Sequence, residues 1–117
     1  LACHVAMEAL DIVIQEGLAD NAAEQGNYLR EILIQLSSKY PIIREVRGKG
    51  LLNAIELVRD GEIAWDLCLN LAENGLLAKP THGNIIRLAP PLVITRSEIE
   101  EAAGLIEKAL KSVMNKV

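Results

Sequence analysis

The chain reads as an α+β domain, a small antiparallel sheet with helices mainly on one face. Apolar residues recur at helical spacing in four stretches and at strand spacing in the stretches between them. The connections are short, which favours antiparallel neighbours. No internal repeat or low-complexity linker divides the 117 residues, so 1–117 is read as a single domain, one able to bury roughly two thirds of the surface its unfolded chain exposes.

Residues 2–16 make the first helix. It is apolar on almost every side through Val5, Ala6, Ala9, Leu10, Ile12, Val13 and Ile14, so burial on several faces is expected; one small sheet cannot cover all of it, and the missing part of the protein is expected to pack against its far side. The chain opens in full helical stride on Leu1, with no N-cap and no initiator Met, so it is read as an excerpt with this helix leading in from a missing N-terminal part. Gly17 fits a helix stop.

A second helix over 19–38 is amphipathic, with Ala22, Leu29, Ile32, Leu33 and Leu36 on one side and Glu24, Arg30, Glu31 and Gln35 on the other. Pro41 ends it, because Pro pushes Tyr40 toward extended geometry. Strands are expected over 42–47 and 51–58, joined through Gly48-Lys49-Gly50 as a close turn. Leu51, Ile55 and Leu57 share one face of the second, Ala54 and Glu56 the other. Asp60-Gly61 breaks that strand, and a third helix runs over 63–73 to the stop at Asn74-Gly75. Short strands over 76–79 and 85–88 flank the loop from Pro80 to Asn84, and Pro90-Pro91 closes the second of them. The last helix carries two overlapping capping boxes, Thr95 with Glu98 and Ser97 with Glu100, ahead of the seam Ile99, Ala103, Ile106, Leu110 and Val113.

Composition excludes several functions. A net charge of -4 and a pI near 5.2 oppose binding to a phosphate backbone, and with Trp65, Tyr28 and Tyr40 as the only aromatics no base-stacking platform is available, so no nucleic-acid partner is expected. No apolar run approaches the ~20 residues of a membrane span, so no membrane partner is expected either. Cys3 and Cys68 are far apart, each within a helical apolar pattern, and are read as buried thiols of a reducing, intracellular compartment rather than a disulfide. Cys3, His4, Cys68 and His82 lack paired-ligand spacing, so no metal site is expected. The charged face of the last helix, with Glu107 and Lys111 at i, i+4, reads as solvated surface.

Two features invite chemistry. Gly48-Lys49-Gly50 has no third glycine at position 53, where Asn53 stands, so it is no dinucleotide fingerprint. It is either a tight structural turn or a turn that also borders a ligand. Arg87 is more telling, because a guanidinium cannot shed its charge and its strand neighbours Ile85, Ile86 and Leu88 are apolar, so it is expected in a dry, buried setting. Either a protein acid or a ligand acid is expected opposite it, so it is a structural ion pair or a carboxylate-binding residue. His82, in the Pro-rich loop, reads as a solvated or backbone-bonded imidazole rather than a catalyst, and no nucleophile triad is visible.

The segments Val46-Arg-Gly-Lys-Gly-Leu-Leu-Asn-Ala-Ile-Glu56 and Gly75-Leu-Leu-Ala-Lys-Pro-Thr-His82, the latter running into Ile85-Ile-Arg-Leu-Ala-Pro-Pro-Leu-Val-Ile94, carry a resemblance. They resemble the small C-terminal domain of the class III pyridoxal-phosphate aminotransferases, and within these the ornithine aminotransferase family. Arg47-Gly48 with Gly50-Leu51 marks the class, and Leu77-Ala-Lys-Pro-Thr-His82 is the more discriminating piece.

The resemblance implies a fold-type I small domain and transfer of the δ-amino group of ornithine to 2-oxoglutarate, giving glutamate and glutamate 5-semialdehyde. It implies pyridoxal 5'-phosphate as cofactor, held by a lysine and an aspartate of a large domain preceding Leu1, so that none of Lys39, Lys49, Lys79, Lys108, Lys111 and Lys116 is catalytic and this chain alone is inactive. Arg87 then resembles the arginine that grips the substrate carboxylate and that a large-domain glutamate neutralises when ornithine is bound. A homo-oligomer and a cytoplasmic or mitochondrial-matrix setting are also implied. The alternatives are another class III ω-aminotransferase, of acetylornithine or 4-aminobutyrate type, or a non-enzymatic module that binds a small acid.

Overall fold

The computed structural model describes residues 1–59 and 61–116. Along them run α1 (Ala2–Gln15), α2 (Leu18–Lys39), β1 (Ile43–Lys49), β2 (Leu52–Leu57), α3 (Glu62–Glu73), β3 (Lys79–Thr81), β4 (Ile85–Leu88) and α4 (Arg96–Lys116). The strands form one sheet in the order β1-β2-β4-β3, every neighbouring pair antiparallel, which is the α+β arrangement expected.

Strand alternation gives the sheet two unlike faces. Val46, Ile55, Leu57, Ile86 and Leu88 point inward and join Leu33 of α2, Leu67 and Leu71 of α3, and Ile99, Ile106 and Leu110 of α4 in one core. Each fully buried Leu or Ile contributes roughly 1.5–3 kcal/mol relative to exposure, so this face fixes the register. The opposite face carries Glu45, Arg47, Ala54, Glu56, Ile85, Arg87 and Lys79 in matching register, and no helix of the described residues covers it.

The first connection is tighter than expected. Gly48 and Lys49 belong to β1, and the turn is Gly50-Leu51 alone, with Gly50 at φ 55°, the first-position geometry that a two-residue hairpin turn assigns to glycine. The tip lies directly beneath α2, where a methyl group on Gly26 would stand 1.8 Å from the Gly50 carbonyl oxygen. Arg30, one turn on, donates to that oxygen at 2.8 Å and to Asn53 Oδ1 at 2.6 Å, and Asn53 Nδ2 donates to the same carbonyl at 3.2 Å. Asn53 therefore occupies the inward face of β2 as a buried, satisfied amide.

Three further expectations are corrected. Residues 76–78 are not strand: the Leu76 N–H closes the end of α3 on the Leu71 carbonyl at 2.9 Å, with Gly75 at φ 91°, so pairing begins only at Lys79. The helix α1 packs mainly on α2 and leaves Val5, Met7, Leu10 and Ile14 exposed, so this chain's own sheet does not cover it, as its all-round apolar pattern implies. Cys3 on that helix is exposed rather than buried, while Cys68 is buried as expected and both thiols are free. Of the two capping boxes only Thr95 with Glu98 forms, the Thr95 N–H donating to Glu98 Oε2 at 2.8 Å, whereas Glu100 accepts the Tyr28 hydroxyl at 2.8 Å. Of the Asp60-Gly61 break, Asp60 lies outside the described residues.

Candidate functional site

Contrary to the dry setting expected, Arg87 is not buried. Its neighbours Ile86 and Leu88 point into the core, and alternation turns Arg87 onto the open face, where it is exposed. There Arg47, Ala54, Arg87 and Lys79 stand side by side in one row across all four strands. In that row Ala54, with a single methyl, stands between the two arginines, and a shallow hollow of about 390 Å³ opens there, bordered also by Lys49, Leu52, Thr81, His82 and Ile85. His82 reaches its rim from the β3-β4 turn, where it adopts a left-handed φ of 49°. Gly48 borders the hollow beside Lys49, while Gly50 is turned away and spent on Arg30 and Asn53.

The two arginines of this row differ in what they hold. Arg47 donates to Glu56 at 2.7 Å and to Glu45 at 3.1 Å, and Arg44 stands 3.3 Å from Glu56. The bonded Arg47 guanidinium, with Arg44 beside it, keeps the Glu56 carboxyl below the usual carboxylate range despite partial burial. Among the described residues Arg87 joins no ion pair, and its partners across the strands are Ala54 and the like-charged Lys79. The face therefore offers one satisfied and one receptive guanidinium, and Arg87 can present a planar fork of donors to a carboxylate brought from outside.

The residues of the hollow do not fit a pyridoxal phosphate. All six lysines are exposed, and no aspartate of the described residues lines the hollow to pair with a pyridine nitrogen. A second hollow of about 280 Å³ between α2, α4 and the segments flanking β3 and β4 is lined by apolar side chains such as Leu76, Leu88, Ile94 and Ile106, and holds no group that could bind a charged ligand. No group of three or more His, Cys, Asp or Glu among the described residues could hold a metal, and no helix there is long and apolar enough to cross a membrane.

Sequence reasoning singled out Arg87 and missed its setting. The alternation of Glu45 and Arg47 marks them as one face, but that Glu56 closes a network with them depends on hairpin register. Glu107, read as solvated surface, also proves tied down, because Lys39 pairs with it and the Tyr40 hydroxyl donates to it at 3.0 Å.

The sheet and helices superpose on those of solved aminotransferases, and the chain belongs to the aminotransferase class-III family, whose model matches residues 1–110. Its relatives include ornithine aminotransferases: it is 51% identical to the one from Emericella nidulans over 98% of this chain and 26% of that protein, and 50% identical to the mitochondrial one from Rattus norvegicus over 96% and 25%. Among solved structures it superposes on an acetylornithine aminotransferase from Elizabethkingia anophelis with a TM-score of 0.92, at 54% identity over 95% of this chain and 30% of that one. It superposes on the ornithine aminotransferase of Toxoplasma gondii ME49 with a TM-score of 0.89, at 42% identity over 99% and 28%. The chain thus spans about a quarter of the length of the curated relatives it matches.

Proposed function

We propose that this chain is the C-terminal portion of a pyridoxal-phosphate-dependent ornithine δ-aminotransferase, to which it contributes Arg87 as the arginine for the substrate carboxylate. One observation carries the assignment: Arg87 is exposed in the open row without an acid of the described residues, beside an Arg47 that already holds two. In the complete protein the cofactor supplies the electron sink, on a lysine outside this chain. The part played here is to bind and orient. A dicarboxylate such as 2-oxoglutarate lays one carboxylate in the Arg87 fork, and covering the open face strengthens that pair by excluding water. When ornithine is the substrate, an acid from outside this chain neutralises Arg87, and the terminal amine is presented instead. The 117 residues alone transfer no amino group, and a mitochondrial-matrix or cytoplasmic setting suits relatives several of which are named as mitochondrial.

In the complete protein, Arg87→Lys should slow the 2-oxoglutarate half-reaction roughly thirty- to hundredfold, the loss expected when a bidentate charge pair is truncated, and the ornithine half-reaction only a few-fold. Single-turnover measurements of both decide it, and equal losses would overturn the assignment. A second reading, an acetylornithine-type enzyme with the same arginine, draws on the 54% identity to the Elizabethkingia anophelis structure. Relative rates with ornithine and N-acetylornithine as amino donors separate the two.

A further inference from the structure

Arg87 can receive an external carboxylate only while no carboxylate of its own chain occupies it, and one stands within range. Ala54 lies opposite Arg87 and Glu56 opposite Ile85, so Glu56 and Arg87 are diagonal neighbours on one face of adjacent strands. Such positions lie roughly 7–8 Å apart along the backbone, within the joint reach of a glutamate and an arginine. The Ala54 methyl is too small to stand between them. Even so, Glu56 turns the other way, accepting from Arg47 at 2.7 Å with Arg44 at 3.3 Å.

The strand β1 is built to draw it there. Glu45 and Glu56 are directly opposite, a like-charge arrangement that would repel without cations between them, and Arg47 bonds both. The register shift between Ile43 and Glu45 adds one residue to β1, and this bulge brings Arg44 to the side where Glu56 lies. Two carboxylates and two guanidiniums thus form a charge-balanced group beside Arg87 that leaves Arg87 out.

We propose that Arg47 and Arg44 are positioning residues: they hold Glu56 on the β1 side of the sheet and so keep Arg87 open to the substrate carboxylate. The inference rests on the reading of Arg87 as that carboxylate's arginine. A released Glu56 would meet Arg87 at an effective concentration of millimolar order or above, as for any tethered partner, and would compete directly with a dicarboxylate at similar concentration.

The test uses the complete protein with two readouts: calorimetric binding of glutarate, a dicarboxylate that cannot accept the amino group, and the rates of the two half-reactions. Arg44→Met/Arg47→Met should raise the Kd for glutarate and the KM for 2-oxoglutarate roughly five- to twentyfold, with the ornithine half-reaction changed less than about twofold. Adding Glu56→Gln to that variant should bring both constants back to within about threefold of the parent. Glu56→Gln alone should raise neither.

Failure of the triple variant to recover would mean that the arginines touch the anion themselves, and would overturn the proposal. Equal loss of the ornithine half-reaction would also overturn it, as the mark of damaged structure. Arg87→Lys run alongside separates the two levels. If it leaves glutarate binding unchanged, the Arg87 reading falls and takes this inference with it. If it weakens glutarate while the Arg44/Arg47 variant does not, only the inference falls.

Discussion

Arg87 draws its significance from company rather than from burial. In sequence it is a charge among Ile85, Ile86 and Leu88, but alternation sends those neighbours to different faces and leaves the guanidinium in the open beside Ala54 and Lys79. The same distinction between type and setting applies to the two thiols. Burial pushes the Cys68 thiol up to about 11, so at neutral pH it is protonated and unreactive, whereas Cys3 stands exposed on α1. Titration of this chain with a thiol reagent at pH 8 should modify Cys3 at once and Cys68 only as the chain unfolds. Simultaneous reaction of both under native conditions would contradict the buried position of Cys68.

At the level of elements, the hairpin tip and its helix are fitted to one another. An alanine at position 26 would gain about 1 kcal/mol of helix propensity. It would also drive a methyl to 1.8 Å from a backbone oxygen that cannot rotate away, a strain on the order of 3 kcal/mol. The clash wins, and Gly26→Ala should cost this chain about 2 kcal/mol in denaturant unfolding.

The end of α2 is tied to α4 in a different way. The Lys39 ammonium that bonds Glu107, with the Tyr40 hydroxyl, holds that carboxyl down to about 2 from an ordinary value of 4.5. A depressed carboxyl stabilises the fold above its ordinary value and loses that contribution as pH falls toward its folded one. Thermal melts of parent and Glu107→Gln should therefore differ most above about pH 5 and converge toward pH 2. A gap that stays constant with pH would show that the carboxylate's charge is not what joins the two helices.

The whole molecule is uneven in how it treats apolar surface. Its sheet and three helices close a dense core, yet α1 leaves Met7, Leu10 and Ile14 exposed at helical spacing along one side. Exposed apolar faces of this kind drive association. The isolated 117-residue chain should sediment as concentration-dependent oligomers, and Leu10→Glu/Ile14→Glu should return it to a monomer. A parent that stays monomeric at high concentration would show that the stripe is too small to drive association.

Helical and strand periodicity, the turn glycines and the proline stops determined by themselves the α+β class, the order of elements and the choice of Arg87, because these depend on neighbours a few residues away. The resemblance in the 46–56 and 75–94 segments determined the family. What only the tertiary structure decided depends on residues distant in sequence. Arg30 meets Asn53 and Gly50, Glu107 meets Lys39, Leu76 is claimed by α3 instead of the sheet, and Arg47 rather than Arg87 takes Glu56. Hairpin register sets that last choice, because a shift of one residue in the pairing would turn the side chains of the slipped strand to the opposite face and part Arg47 from Glu56.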